Sequence, residues 1–358
     1  MPRPQLSLSK SDMHAQGGRY DFASDNTAGF CPAVLSALQT ANQTECPSYG
    51  DDKWTARLRE LVRETFEIEC ESYLVFNGTA ANALALAQLC QSFHAIVCHQ
   101  NAHIQTDECG APEFFTKGSK LLLVEGDGGK IDLAKAARIV DRQPELHSHK
   151  PRVISITQAT EFGTVYTRGE IEAVSEFVRG REMLLHMDGA RFANAVASLN
   201  CDPKEITWQA GVDVLCFGGT KNGLAAGELI VFFKKELARE FDYRLKQAGQ
   251  LASKTRFIAA PWVEILEKKI WMQNSEHANR MARLLAGRLQ SELNLAPVVP
   301  VEANAVFIRL SDQDVAALRE RGWQFYESFE TGVYRLMCSW CTANRQIDEF
   351  ISDLRCVR

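Results

Sequence analysis

The chain lacks any apolar run approaching the roughly 18 residues that a membrane-spanning helix needs, so no segment reads as a bilayer crossing. It also lacks an excess of basic charge. Forty Lys and Arg stand against 45 Asp and Glu, a formal charge of -5, and the isoelectric point is near 6.0. That balance argues against a nucleic-acid or anionic-membrane surface. No internal repeat and no low-complexity tract is present. The first eighteen residues are polar, with Pro2, Pro4, Gly17 and Gly18, and lack the apolar core of a signal peptide. They read as a flexible arm of a cytoplasmic protein. The eleven cysteines lack the spacing of a disulfide framework or a zinc site. Cys338 and Cys341 form the one close pair, and no second pair completes a metal centre. Structural, reduced and mostly buried thiols are expected, with no metal.

What is present fits an ordinary globular protein: 358 residues, 46% hydrophobic and 24% charged, long enough for two domains. Strand-like and helix-like patterns alternate from about residue 54 to 235, which favours βα units and a mostly parallel sheet. Strands are expected at 73–76, 95–98, 121–124, 153–157, 183–187, 212–217 and 229–233. Helices are expected at 54–66, 79–90, 133–142 and 170–178. After Pro261 one long helical pattern runs toward Leu289, and strands at 305–310 and 333–337 flank a helix at 312–321. The expected division is an arm over 1–20, a large domain over 21–258 and a small α+β domain over 259–358.

The most informative segment is Cys216-Phe217-Gly218-Gly219-Thr220-Lys221-Asn222-Gly223. It sets Lys221 just past an apolar strand, inside a glycine-rich turn. A partly desolvated lysine amine is a usable nucleophile toward an aldehyde, and glycines allow close backbone approach to a ring or phosphate. Alone, the octapeptide also reads as a solvated turn. About thirty residues earlier, Leu184-Leu185-His186-Met187-Asp188-Gly189-Ala190-Arg191 ends an apolar run at an acid, with an arginine three residues on. One reading is an Asp188–Arg191 ion pair at a helix start. The other is a carboxylate that holds a protonated pyridine nitrogen, with Arg191 free to meet an anionic substrate. Pyridoxal phosphate chemistry calls for a lysine and such an acid together.

Weaker signals fit around these two. Asn77-Gly78-Thr79 follows a strand and opens a helix, where backbone amides form a phosphate cradle or simply an N-cap turn. His103 could stack on a ring or move a proton near neutral pH, or be bonded within its loop. His186, inside the apolar strand before Asp188, reads as a satisfied core residue. The clusters Phe22-Ala23-Ser24-Asp25-Asn26 and Ser48-Tyr49-Gly50-Asp51-Asp52 read as turns. Arg335 is a cation inside an apolar strand and needs an anion, either a substrate carboxylate or a neighbouring acid.

Taken in order, from about Phe22 to Trp340, these segments resemble the low-specificity L-threonine aldolase family. His-Met-Asp-Gly-Ala-Arg and Gly-Gly-Thr-Lys-Asn-Gly carry the likeness. The resemblance implies the aspartate-aminotransferase-like α/β fold (fold type I of the pyridoxal phosphate enzymes), with a mostly parallel seven-stranded sheet and a smaller α+β C-terminal domain. It implies that Lys221 holds the cofactor aldehyde, Asp188 faces the pyridine nitrogen, Gly78 and Thr79 bind phosphate, and His103 stacks over the ring. It assigns Ser24, Arg191 and Arg335 to the substrate carboxylate. Arg256 would reach a neighbouring subunit's cofactor phosphate and Tyr49 a neighbouring active site, in a homotetramer built from dimers. One departure stands out. Many members carry a histidine near the substrate hydroxyl, and in Thr157-Gln158-Ala159-Thr160-Glu161 it is Thr160 that occupies that place. The proton acceptor is then His103 or a bound water, with Glu161 behind. The implied reaction is retro-aldol cleavage of L-threonine or L-allo-threonine to glycine and an aldehyde. β-Elimination, racemisation or transamination, and a non-catalytic relative, are the alternatives.

Overall fold

The computed structural model describes residues 18–142 and 146–358, so residues 1–17 of the expected arm lie outside the described residues. Seven strands form the main sheet: β1 (Glu71–Val75), β2 (His94–His99), β3 (Lys120–Val124), β4 (Lys150–Thr157), β5 (Leu184–Gly189), β6 (Val214–Phe217) and β7 (Glu228–Phe232), in the order β1-β7-β6-β5-β4-β2-β3. From β3 to β6 the neighbours are parallel, while β7 runs antiparallel to both β6 and β1. Each expected large-domain strand is there. β6 and β7 are buried along their whole length, as befits strands covered on both faces.

Local chemistry sets the helices that position the site. Asn77 caps the Gly78–Leu89 helix through Ala80 N at 2.9 Å, and an Ala/Leu-rich sequence lets it lie almost wholly buried on the sheet. Asp52 caps the Lys53–Phe66 helix through Trp54 N and Thr55 N. Thr167 and Glu170 form a capping box at the start of the Arg168–Arg179 helix.

The single helix expected after Pro261 is instead two, Arg256–Glu267 and Ile270–Leu293. The apolar periodicity continues across the junction, but Lys269 adopts a left-handed conformation (φ 54°) and breaks the hydrogen-bond ladder. Pro261 sits inside the first of these helices. The proposed boundary between residues 258 and 259 falls within it as well.

The small sheet comprises β8 (Ala305–Arg309), β9 (Tyr326–Glu327) and β10 (Val333–Met337), ordered β8-β10-β9. Its apolar core includes Trp323, Phe350 and, from the other end of the chain, Phe22. Arg19 stacks on Trp323 at 3.7 Å and exchanges backbone hydrogen bonds with Gly322 and Gln324. Met337 N donates to Phe22 O at 2.9 Å. Residues 19–22 are therefore stitched to the C-terminal sheet, and this carries Ser24, Asp25 and Asn26 toward the carboxyl ends of the large-sheet strands.

The glycines beside Lys221 also decide how the turn packs. A Cβ on Gly218 would lie 2.4 Å from Ala190 O, and one on Gly219 would lie 2.5 Å from both Leu224 and Trp262. They let the turn press against the β5 loop and the indole, which fixes where Lys221 emerges. Gly219→Ala should therefore cost about 1–3 kcal/mol through overpacking. Urea unfolding measures this, and a variant as stable as wild type would contradict it.

Candidate active site

β5 and β6 are adjacent and parallel, with Asp188 opposite Cys216. Their carboxyl ends, together with the N-terminus of the Gly78–Leu89 helix, enclose a cavity of about 200 Å³. Gly78, Thr79, His103, Asp188 and Lys221 all line it. Five of the residues singled out in the sequence thus converge on one space. This is the arrangement that ligand sites in open α/β sheets favour.

Asp188 is buried at the cavity wall, 4% exposed. Its Oδ1 accepts from Ala190 N at 3.0 Å and its Oδ2 from Asn82 Nδ2 at 2.9 Å. The same Asn82 nitrogen donates to Glu108 Oε1 at 2.8 Å, and Glu108 Oε1 lies 2.8 Å from His103 Nδ1. One amide thus bridges the acid of β5 to the acid that orients His103. The hydrogen bond that His103 donates to Glu108 raises the His103 pKa above its ordinary 6.5; burial opposes this, and the charges of Asp188 and Glu161 add to it. Burial likewise raises the Glu108 carboxyl, with the His103 bond pulling the other way. Because Nδ1 is committed to Glu108, Nε2 is the His103 atom left for a ligand.

Asp188 and Arg191 do not form the ion pair considered from sequence, and Arg191 is not free. Its Nε and Nη2 donate to the two oxygens of Asp25 at 2.7 and 3.0 Å, with both side chains buried. Asn304 Nδ2 adds a third hydrogen bond to Asp25 at 3.1 Å. Burial alone pushes the Asp25 carboxyl up, but the charges of Arg191 and Lys221 and these bonds bring it down to about 2. Ser24, read as a carboxylate ligand, accepts from Asn26 N and caps the short turn that carries Asp25. Arg335 lacks such a partner. Its guanidinium is largely buried, desolvation lowers its pKa, and its Nε has no hydrogen-bond acceptor among the described residues. The charges of Arg191, Asp25 and Glu161 reach it, which places it near the Asp25–Arg191 pair, outside the cavity's lining.

Ser24, Arg191 and Arg335 are not among the residues that line the cavity, and neither are three others assigned by resemblance. Thr160 is buried, with its hydroxyl held by Gly128 O and Thr164 Oγ1, both at 2.9 Å. Tyr49 is half exposed and lines a separate cavity of about 370 Å³, with Lys246 over its ring. Arg256 donates to Ala41 O at 3.2 Å. Tyr49 N bonds Ser253 O, three residues before Arg256.

Sequence reading missed Asp25, Asn82, Glu108 and Glu228 as site residues. Glu228 opens an otherwise apolar strand, and a lone acid there was a usable signal, since a buried carboxyl needs donors. Cys216 lines the cavity and sits 3.2 Å from His186 Nε2, while His186 Nδ1 meets Ser155 Oγ at 2.9 Å. His186 is the satisfied core residue expected. Burial pushes its pKa down to about 4, with Asp188 opposing. All eleven cysteines are free, and the described residues contain no cluster of potential metal ligands.

Asp25→Asn should destabilise the fold by about 3 kcal/mol at neutral pH, because it strands a buried guanidinium. The folded Asp25 pKa is depressed, so its contribution is present above its ordinary 3.8 and lost as pH falls toward about 2. The gap between wild type and variant in urea unfolding should therefore narrow through that window. A gap that stays constant down to the lower limit would contradict it.

The comparisons agree with this geometry. The profile of the beta-eliminating lyase family matches residues 21–313. The low specificity L-threonine aldolase of Pseudomonas aeruginosa is 53% identical over 94% of this chain and 97% of its own length. That of a Pseudomonas species is 51% identical over the same shares. A structure of Leishmania major threonine aldolase superposes with a TM-score of 0.89 at 26% identity, covering 95% of this chain and 100% of the other. The seven-stranded α/β architecture is that of the fold type I pyridoxal phosphate enzymes. By profile, by sequence and by fold, this chain belongs to the low specificity L-threonine aldolase family, within the beta-eliminating lyases.

Proposed function

We propose that the chain is a pyridoxal phosphate-dependent carbon–carbon lyase that splits L-threonine or L-allo-threonine, and related L-β-hydroxy-α-amino acids, into glycine and an aldehyde. One observation carries this reading: Lys221 and Asp188 line a single cavity whose other wall is a helix N-terminus. The cavity fits the cofactor on its own terms. An amine, a buried acid and a set of outward backbone amides match an aldehyde, a ring nitrogen and a phosphate respectively. Lys221 would hold the aldehyde, Asp188 the ring nitrogen, and Gly78 with Thr79 the phosphate. Bound there, the cofactor supplies an electron sink for the pair released when a bond to the substrate Cα breaks.

The chain's own groups do the rest. Asp188, fixed by Ala190 N and Asn82, keeps a positive charge at the ring nitrogen. Arg335 binds the substrate carboxylate, a role supported by its buried, unpartnered Nε near the Asp25–Arg191 pair. Arg191 is neutralised by Asp25 and supports that pocket rather than leading it. His103 Nε2 takes the proton from the substrate β-hydroxyl, with Glu108 stabilising the imidazolium from the Nδ1 side. Loss of that hydroxyl proton turns the oxygen into an aldehyde as the Cα–Cβ bond opens, and a proton returns to Cα to give glycine. Thr160, with its hydroxyl committed elsewhere, leaves this duty to His103 or a water, with Glu161 next in line. Tyr49 and Arg256 lie outside the lining of this chain's cavity, which is compatible with the homotetramer of dimers that the family resemblance implies, with sites that each borrow from a neighbour. No helix among the described residues is long and apolar enough to cross a membrane; a cytoplasmic location is part of the same proposal.

Purified protein loaded with pyridoxal phosphate should release acetaldehyde and glycine from L-threonine or L-allo-threonine and not from the D isomers. Pyruvate or ammonia from serine in place of glycine and aldehyde would favour a β-eliminating reading. Arg335→Lys should raise KM for threonine by about tenfold or more while altering kcat less, because a point charge replaces a bidentate fork. An unchanged KM would remove Arg335 from the carboxylate site. If His103 accepts the proton, it must be neutral first, so kcat/KM should climb as pH rises through its pKa. Glu108→Gln replaces the carboxylate acceptor of the bond that raises that pKa with a neutral amide oxygen and should move the climb to lower pH. A profile that does not move, or moves upward, would contradict this role.

A further inference from the structure

Glu228 is a buried acid, 6% exposed, that the mechanism above does not use, and its backbone is fixed from both sides. As the first residue of β7 it pairs with Val75, the last residue of β1. The next residue, Leu229, pairs with Phe217 of β6. The preceding Gly227 donates through N to Phe76 O at 3.1 Å and accepts at O from Trp262 Nε1 at 3.0 Å. From this post the carboxyl reaches the turn that carries Lys221. Gly219 N donates to Glu228 Oε2 at 2.5 Å, and the Thr220 hydroxyl and backbone amide donate to it as well. Glu228, Thr220 and Lys221 line the same cavity.

We propose that Glu228 is a positioning residue for Lys221: its ionised carboxylate anchors the turn and supplies a negative charge that favours a positive one on the Lys221 nitrogen. This rests on the reading of Lys221 as the residue that holds the cofactor aldehyde, and extends it to what aims and charges that nitrogen. The hydrogen bonds decide the ionisation state. Backbone amides can only donate, so the form of the acid that meets Gly219 N and Thr220 N best is the one with no hydrogen of its own. Consecutive amides aimed at one point make a concave anion site, and here the anion is built into the chain. Burial raises the Glu228 pKa, while these donors and the Lys221 charge oppose the rise. The same attraction acts on Lys221 in return. The other ionisable groups lining the cavity are Asp188 on β5, Cys216 on β6 and His103 after β2, and Asp25 also feels the Lys221 charge. With the amides of the turn engaged by Glu228, the helix N-terminus at Gly78 and Thr79 is left to meet a bound anion.

The probe is pyridoxal phosphate, whose adduct with a lysine amine absorbs visible light when that nitrogen is protonated, so the band fades as pH rises through a midpoint. Glu228→Gln keeps an acceptor for the turn but removes the charge. Its midpoint should therefore lie about one pH unit below that of wild type. Glu228→Asp keeps the charge but is one methylene shorter. Its midpoint should stay within about half a unit of wild type, while amide hydrogen exchange at Gly219 and Thr220 in the cofactor-free protein speeds up about tenfold or more. A Glu228→Gln midpoint that holds or rises, or Glu228→Asp exchange no faster than wild type, overturns the proposal and leaves the cofactor reading standing. Wild-type protein that gains no visible band overturns both. Should Glu228→Gln fail to fold, Glu228→Asp decides alone, and a midpoint displaced there by about a unit, or unchanged exchange, overturns the proposal.

Discussion

The buried Asp25–Arg191 pair is the constraint on which the site depends. It joins a residue stitched to the C-terminal sheet to a residue on the loop after β5, and Asn304 of the small domain completes it. Breaking such a pair strands a buried charge. The two parts of the chain are therefore held together at the mouth of the cavity, which their neighbours Asn26 and Ala190 line. Because Asp25 neutralises Arg191, Arg335 is the guanidinium whose Nε has no acceptor among the described residues, and the proposed carboxylate role rests on it.

Behind this mouth, the acids are joined rather than isolated. Asp188 and Glu108 share the Asn82 amide, and His103 hangs from Glu108. A change of charge at Asp188 is therefore felt at the imidazole through three hydrogen bonds. The glycines of the Lys221 turn serve the same end by a different route, fixing the turn against Ala190 and Trp262.

Much of this was legible in the sequence, and the reasons for the rest are physical. The large-sheet strands were readable because parallel strands buried on both faces are short apolar runs. Lys221, Asp188, Gly78, Thr79 and His103 were readable because each sits just past such a run. The break at Lys269 was not, since apolar periodicity continues through it and no glycine marks it. Asp25 was not readable either. Its partner is 166 positions away, and its placement depends on Arg19 and Phe22 packing against residues beyond 320. Asn82 and Glu108 lie three and five residues beyond Thr79 and His103, but an amide bridging two acids is a three-dimensional fact. Tyr49 and Arg256 have no role that a single chain can display.

The central claim is that Lys221 and Asp188 address opposite ends of one bound aromatic aldehyde. Its most direct test is borohydride reduction of the pyridoxal phosphate-loaded protein, followed by peptide mass spectrometry. The account predicts one pyridoxyl group per chain, on the peptide that contains Lys221. Modification of a different lysine, or of none, would contradict it.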